Sequence, residues 1–216
     1  MSTVSHYFNQ PSIDPIYYFK LNGVIDKQKY SLLSAKWLFS ATGFDLGTRI
    51  LLKHFSFRHT GQISVLDFGC GYGLISNFLA YQYSQKKFPD ISHLHIDACD
   101  SSPLAVDVTE ANFNTQSIKN FAHQIVCSDL LSDNYFSDKK YHTILTNPPF
   151  SAGKSVVKEF IQSSYDHLIE GWILWMVVPT NKWAKSYVTI TQSIFWQNNV
   201  NIIALEAGYR VRTATK

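Results

Sequence analysis

From about residue 62 onward, short apolar runs alternate with longer stretches whose apolar residues recur at helical spacing. The runs fall at residues 63–68, 93–99, 123–127, 141–146, 172–178 and 201–206. Apolar runs of this length, bounded by turn residues, predict strands; strands alternating with helices predict a parallel sheet covered on both faces. A last short run, 210–214, follows Gly208 and predicts an antiparallel terminal hairpin. Between the runs, Leu74, Ile75, Phe78 and Leu79 mark one helix, closed by Pro89. Ser102-Pro103 is a helix start, with Ser102 as cap and Pro103 in the first helical position. Val156, Val157, Phe160, Ile161, Leu168 and Ile169 predict a third helix ended by Gly171, and Trp183, Tyr187, Ile190 and Ile194 a fourth. Asp45 is placed to cap a further helix carrying Leu46, Ile50, Leu51 and Phe55 on one side. The first forty residues are aromatic (Tyr7, Phe8, Tyr17, Tyr18, Phe19, Trp37, Phe39) without clear periodicity. The expected architecture is α/β, a Rossmann-like doubly wound, mostly parallel seven-stranded sheet with a terminal antiparallel hairpin. It forms a single domain, residues 43–216, with an N-terminal extension, 1–42, packed on the core.

Composition narrows the class. The 216 residues are 45% apolar and 15% aromatic, enough for a sizeable core, and 16% charged, which excludes broad disorder. The net charge of +3 permits a polyanionic partner without demanding one. Cys70, Cys99 and Cys127 form no CxxC pair, so free thiols in a reducing compartment are expected. Met1-Ser2-Thr3-Val4-Ser5-His6 lacks a basic-then-apolar leader pattern, and the apolar stretch 172–178 is too short to cross a bilayer. A cytoplasmic protein is expected. The histidines show no metal-ligand spacing, so no metal site is expected.

The candidate chemistry sits at successive strand ends. Asp67-Phe68-Gly69-Cys70-Gly71-Tyr72-Gly73 follows the first strand of the alternating unit, where glycines let the backbone turn sharply and approach a ligand. A dinucleotide fingerprint, G-x-G-x-x-G, fails in both frames, because its third small position falls on Leu74 or Ser76. A phosphate-binding loop ending in Gly153-Lys154-Ser155 would need glycine at position 148, which is proline. The D-x-G-x-G-x-G pattern matches instead the cofactor loop of class I methyltransferases, with Asp67 close to a cationic S-adenosylmethionine. Asp100, at the end of the next strand, is placed to accept both ribose hydroxyls, with Ser101 beside it; Asp97 competes, but from a position that suits a local partner. Asp129, with Leu130, is placed to receive the adenine amine, or else is a turn aspartate.

Asn147-Pro148-Pro149-Phe150 ends the apolar run at 141–146. Read alone it is a rigid turn. Downstream of an acidic glycine loop it becomes a holder for a planar group bearing an amine. The Asn147 side-chain oxygen and the Pro148 carbonyl suit the amine hydrogens, the two prolines limit reorganisation, and Phe150 suits stacking on a base. Lys154, Lys158, Lys182, Lys185, Arg210 and Arg212 are candidates for an RNA track, against the plainer reading of solvated faces.

These motifs resemble those of the small-domain family of class I methyltransferases, in particular the ribosomal RNA guanine methyltransferases that modify the exocyclic amine. The similarity runs over about residues 43–216. It includes Phe44-Asp45-Leu46-Gly47-Thr48-Arg49, Cys99-Asp100-Ser101-Ser102-Pro103, Asn147 to Lys154 and Gly208-Tyr209-Arg210-Val211-Arg212. The resemblance implies S-adenosylmethionine as cofactor, with Asp45 to Thr48 near its methionine end. It implies RNA, chiefly ribosomal, as substrate, and Asn147, Pro148, Pro149 and Phe150 as the residues that hold the base. Ser151 stands where rRNA-type members often carry histidine. Adenine in RNA or DNA, a protein glutamine amide, and a catalytically silent RNA-binding subunit are the alternatives.

Overall fold

The computed structural model describes residues 16–116, 121–180 and 184–216. The chain forms, in order, β1 (Tyr18–Ile25), β2 (Gln28–Ala35), α1 (Leu46–His54), β3 (Gly61–Phe68), α2 (Leu74–Ser84), β4 (Ile91–Asp100) and α3 (Pro103–Gln116). Then come β5 (Ala122–Cys127), β6 (Tyr141–Thr146), α4 (Lys154–His167), β7 (Leu168–Pro179), α5 (Ala184–Phe195), β8 (Val200–Glu206) and β9 (Tyr209–Thr215). The main sheet has seven strands in the order β5-β4-β3-β6-β7-β9-β8, and β9 runs antiparallel to both its neighbours. This is the expected doubly wound sheet with its terminal hairpin.

Because the sheet is covered on both faces, its central strand β7 is apolar without a break from Trp172 to Val178. In β7, Ile173, Trp175 and Val177 join one core with α1, α2 and α3. Leu174, Met176 and Val178 join the other with α4 and α5. The order changes direction between β3 and β6, where Phe68 pairs with Thr146, so the loops leaving these two strands start side by side. Ligands of doubly wound sheets bind at such a switch point.

Two elements differ from expectation. The third helix ends at His167, and Leu168 and Ile169 open β7, with Leu168 paired to Tyr141. Gly171 (φ +79) therefore lies inside the strand, at a register shift, and ends no helix. The aromatic N-terminal stretch contains the β1–β2 hairpin, turned at Asp26 and Lys27, both with positive φ. The hairpin packs on α3, where Asn112 donates to the Leu33 carbonyl (2.9 Å) and accepts from its N–H (2.6 Å). Tyr7, Phe8, Lys182 and Trp183 lie outside the described residues.

Candidate active site

β3 delivers Asp67 and then the glycine loop. Gly69 and Gly71 take left-handed φ of +77 and +58, and both Gly69 and Cys70 donate backbone N–H groups to the Cys99 carbonyl at the end of β4. A Cβ at Gly71 would meet nothing within 4 Å, so the loop's outer side is open to a ligand. Gly73 (φ +78) is different, since its Cβ would sit 2.7 Å from the Thr109 methyl; its bareness serves the packing of α2 on α3.

The acidic residues have distinct settings. Asp67 is fully buried; its Oδ2 accepts from the backbone N–H (3.0 Å) and the hydroxyl of Ser76 in the first turn of α2. Its Oδ1 has no hydrogen-bond partner, and burial, with a smaller contribution from Asp100, pushes its pKa up to about 7 against those hydrogen bonds. Asp100 accepts from the Gly71 N–H (2.9 Å) and the Ser102 N–H (2.9 Å), which aims the carboxylate across the mouth of the glycine loop. Burial raises its pKa as well. Asp97 has the local partners expected of it: the hydroxyls of Tyr135 and Tyr141 and the ring of His95. Ser101 is half-buried beside Asp100; Asp129 is exposed just past β5, and Leu130 (φ +55) turns the chain there. The structure thus brings Asp67, Gly69, Cys70, Gly71, Asp100 and Ser101 around one loop, with Asp129 at the outer margin. The cysteines are free; burial raises the Cys70 and Cys99 thiols, while Cys127 is exposed.

Across the switch point, β6 delivers Asn147. Its Nδ2 donates to Asp45 Oδ2 (2.9 Å) and to Thr48 Oγ1 (3.1 Å). The same Asp45 oxygen caps α1, accepting from the Thr48 N–H (2.7 Å) and hydroxyl (3.0 Å). With three donors on one carboxylate oxygen the Asn147 amide has one workable orientation, because a flipped amide would set oxygen against oxygen. Its Oδ1 is left as the outward acceptor. From the sequence, Asp45 was legible as a cap; its hold on Asn147 was not, because the two are far apart along the chain.

Pro149 (φ −75, ψ 74) forms an inverse γ-turn in which the Phe150 N–H donates to the Pro148 carbonyl at 2.8 Å. That carbonyl keeps its second lone pair. Phe150 leans on Tyr187 of α5, ring centroids 4.8 Å apart, and the Tyr187 hydroxyl donates to the Phe150 carbonyl (3.3 Å). Tyr187 thus supports Phe150, a contribution that its helical periodicity alone does not reveal. Among the described residues no cluster of histidine, cysteine, aspartate and glutamate could hold a metal ion, and no helix is long and apolar enough to cross a membrane.

The fold, with an open glycine loop and an acidic strand end at its switch point, fits the class of S-adenosylmethionine-dependent methyltransferases, and the comparisons with known proteins place the chain in that class. Over residues 29–213 the chain matches the methyltransferase small domain family, and it belongs to that family. The Bacillus subtilis protein YbxB, itself uncharacterised, is 30% identical over 87% of this chain and 86% of its own length. Ribosomal RNA small subunit methyltransferase C of Idiomarina loihiensis is 27% identical over 88% of this chain and 52% of its own. Among solved structures, the T. thermophilus 16S rRNA N2 G1207 methyltransferase in complex with AdoMet and guanosine is similar in fold. Its TM-score is 0.75 at 21% identity, covering 92% of this chain and 50% of that one. The chain therefore spans about half the length of these ribosomal RNA methyltransferases.

Proposed function

We propose that this protein methylates the exocyclic amine of a guanine in RNA, most specifically ribosomal RNA. The observation that carries the reading is the Asn147 amide, whose two N–H groups are held by Asp45 and Thr48 so that its oxygen faces out at the switch point. The names of the relatives support the choice of ribosomal RNA and guanine.

The residues present fit the cofactor. The open side of Gly71, the aimed carboxylate of Asp100 and the unpartnered Oδ1 of Asp67 suit a ligand with ribose hydroxyls and positive charge. Gly69, Cys70, Gly71 and Gly73 shape its loop, Asp100 and Ser101 face its ribose, Asp129 and Leu130 its adenine, and Thr48 and Asn147 its methionine end. S-adenosylmethionine supplies an electrophilic methyl group on a sulfonium. The lone pair of an exocyclic amine is delocalised into its ring, so the protein's work is orientation. Asn147 Oδ1 and the Pro148 carbonyl accept the amine hydrogens and turn the nitrogen toward tetrahedral geometry. Phe150, backed by Tyr187, stacks on the base. Transfer would form an N–C bond as the C–S bond breaks, with the amine proton released to solvent. Acceptors already in place cost little reorganisation at that moment.

The test is tritium-methyl transfer to separate ribosomal RNA, transfer RNA, DNA and protein fractions from cells lacking the gene. Label in ribosomal RNA that digests to a methylguanosine supports the reading. Label in methyladenosine or in protein overturns the guanine assignment, and an absence of label in every fraction speaks for a binding role.

A further inference from the structure

Between α5 and the β8–β9 hairpin, the surface holds a depression of about 410 Å³ lined by Lys185, Val188, Thr189, Ile202, Arg210 and Arg212. Arg212 is an unusual lining residue, because only 7% of it is exposed. The expectation of solvated cations on this face therefore fails at Arg212. Its Nε is buried without a hydrogen-bond partner, and no carboxylate forms a salt bridge with Arg212, Arg210 or Lys185 among the described residues. The nearest acid along β8, Glu206, is engaged with Lys53 and His54 of α1. Burial lowers the Arg212 pKa, and the charge of Arg210 lowers it further, as expected of two guanidinium groups with no anion between them. A buried, unpaired cation is costly, and such groups are ordinarily paired.

Register places the depression near the chemistry. Arg212 pairs with Met176 of β7, which pairs with Thr146 at the end of β6, one residue before Asn147. Two strand spacings are about 10 Å. Helix α5 carries both Lys185 at the depression and Tyr187 against Phe150. Val188 and the exposed Ile202 add apolar lining beside the cations, which suits a sugar-phosphate chain better than an isolated small ion.

We propose that this basic depression between α5 and the β8–β9 hairpin binds a backbone phosphodiester of the substrate RNA next to the nucleotide held at Asn147. Arg212 and Arg210 offer forked donors for phosphate oxygens, and Lys185 adds a point charge at the rim. The site positions RNA without reading its sequence. The inference rests on the RNA-methyltransferase reading and adds the surface by which the polymer is held.

The test compares wild type with Lys185→Gln/Arg210→Gln and with Arg212→Gln, using ribosomal RNA fragments labelled with fluorescein and S-adenosylmethionine as a separate ligand. The double variant, at the exposed Lys185 and the half-buried Arg210, guards against misfolding of the Arg212 variant. RNA binding is expected to weaken in both variants, and the slope of log K against log salt to shrink by about 0.7 for each phosphate that is no longer neutralised. S-adenosylmethionine affinity should stay at the wild-type value. Equal RNA affinity and equal slope in the double variant and wild type, with methylation of RNA intact, overturn the depression's role alone. A wild-type chain that neither binds nor methylates RNA overturns the substrate reading, and the depression's ligand with it.

Discussion

At Asn147 a single amide is made directional by two partners distant in sequence, and its replacements should separate orientation from folding. Asn147→Ala removes the outward acceptor, so kcat should fall about 10²- to 10³-fold, the cost typical of a lost preorganised hydrogen-bonding group. Cofactor affinity by calorimetry should change far less. Loss of both together would mean that the contact of Asn147 with the cofactor's methionine end outweighs its role as acceptor for the amine. Asn147→Asp should be worse for stability, since it sets a second carboxylate against Asp45, the oxygen that caps α1. The glycines give a second separation. Alanine at Gly71 meets open space but carries the left-handed strain of φ +58 and lies where the ligand would approach, so Gly71→Ala should lower the melting temperature modestly and weaken cofactor binding more. Alanine at Gly73 collides with Thr109 and should lower the melting temperature first. A sequence shows both as glycines of one motif; only the neighbours brought in by α3 tell them apart.

Among the elements, legibility followed burial geometry. The strands β3, β4, β6 and β7 were readable because a doubly covered sheet buries consecutive residues in them, and the Asp45 and Ser102 caps because their side chains act locally. The β1–β2 hairpin hid for the opposite reason. In β1 the burial does alternate, with Phe19, Leu21, Gly23 and Ile25 inward, but Gly23 breaks the apolar series and the exposed Tyr18 and Val24 add apolar residues to the outer face, so the period of two is blurred in the sequence. Its turn uses Asp26 and Lys27 at positive φ in place of the expected Asn-Gly or Asp-Gly signal. The end of α4 was misjudged because Leu168 and Ile169 continue its apolar spacing, while pairing with β6 decides their conformation. We propose that the described part of the 1–42 extension, residues 16–42, packs on the methyltransferase domain, with Leu32 as the test of how firmly. Leu32 is 1% exposed in the core shared with α1, α2 and α3, so Leu32→Ala should cost about 2–5 kcal/mol in denaturant unfolding. A cost near zero would mean that the hairpin rests on the surface without sharing the core.

For the molecule as a whole, the two carboxylates at the ends of β3 and β4 tie stability and cofactor affinity to the same pH interval. Asp67 is pushed up to about 7, chiefly by burial, and Asp100 is raised in the same direction. An acid whose pKa is raised on folding binds more protons in the folded state than in the unfolded one. Its contribution to stability is full below the ordinary carboxylate range and is lost as pH rises through the folded value. The ligand-free melting temperature should therefore fall between about pH 4 and pH 7, and Asp67→Asn should flatten the decline. A cation over the glycine loop reverses the preference, because nearby positive charge favours the ionised carboxylates. Binding of S-adenosylmethionine should then release protons and tighten as pH rises through this interval. Titration calorimetry near pH 6.5, in buffers of different ionisation enthalpy, measures that release directly. Proton release by the wild type and a smaller release by Asp67→Asn would place the cofactor's charge within reach of the buried carboxylate. Equal release by both would assign the effect to Asp100, and none at all would mean that neither carboxylate changes protonation when the cofactor binds.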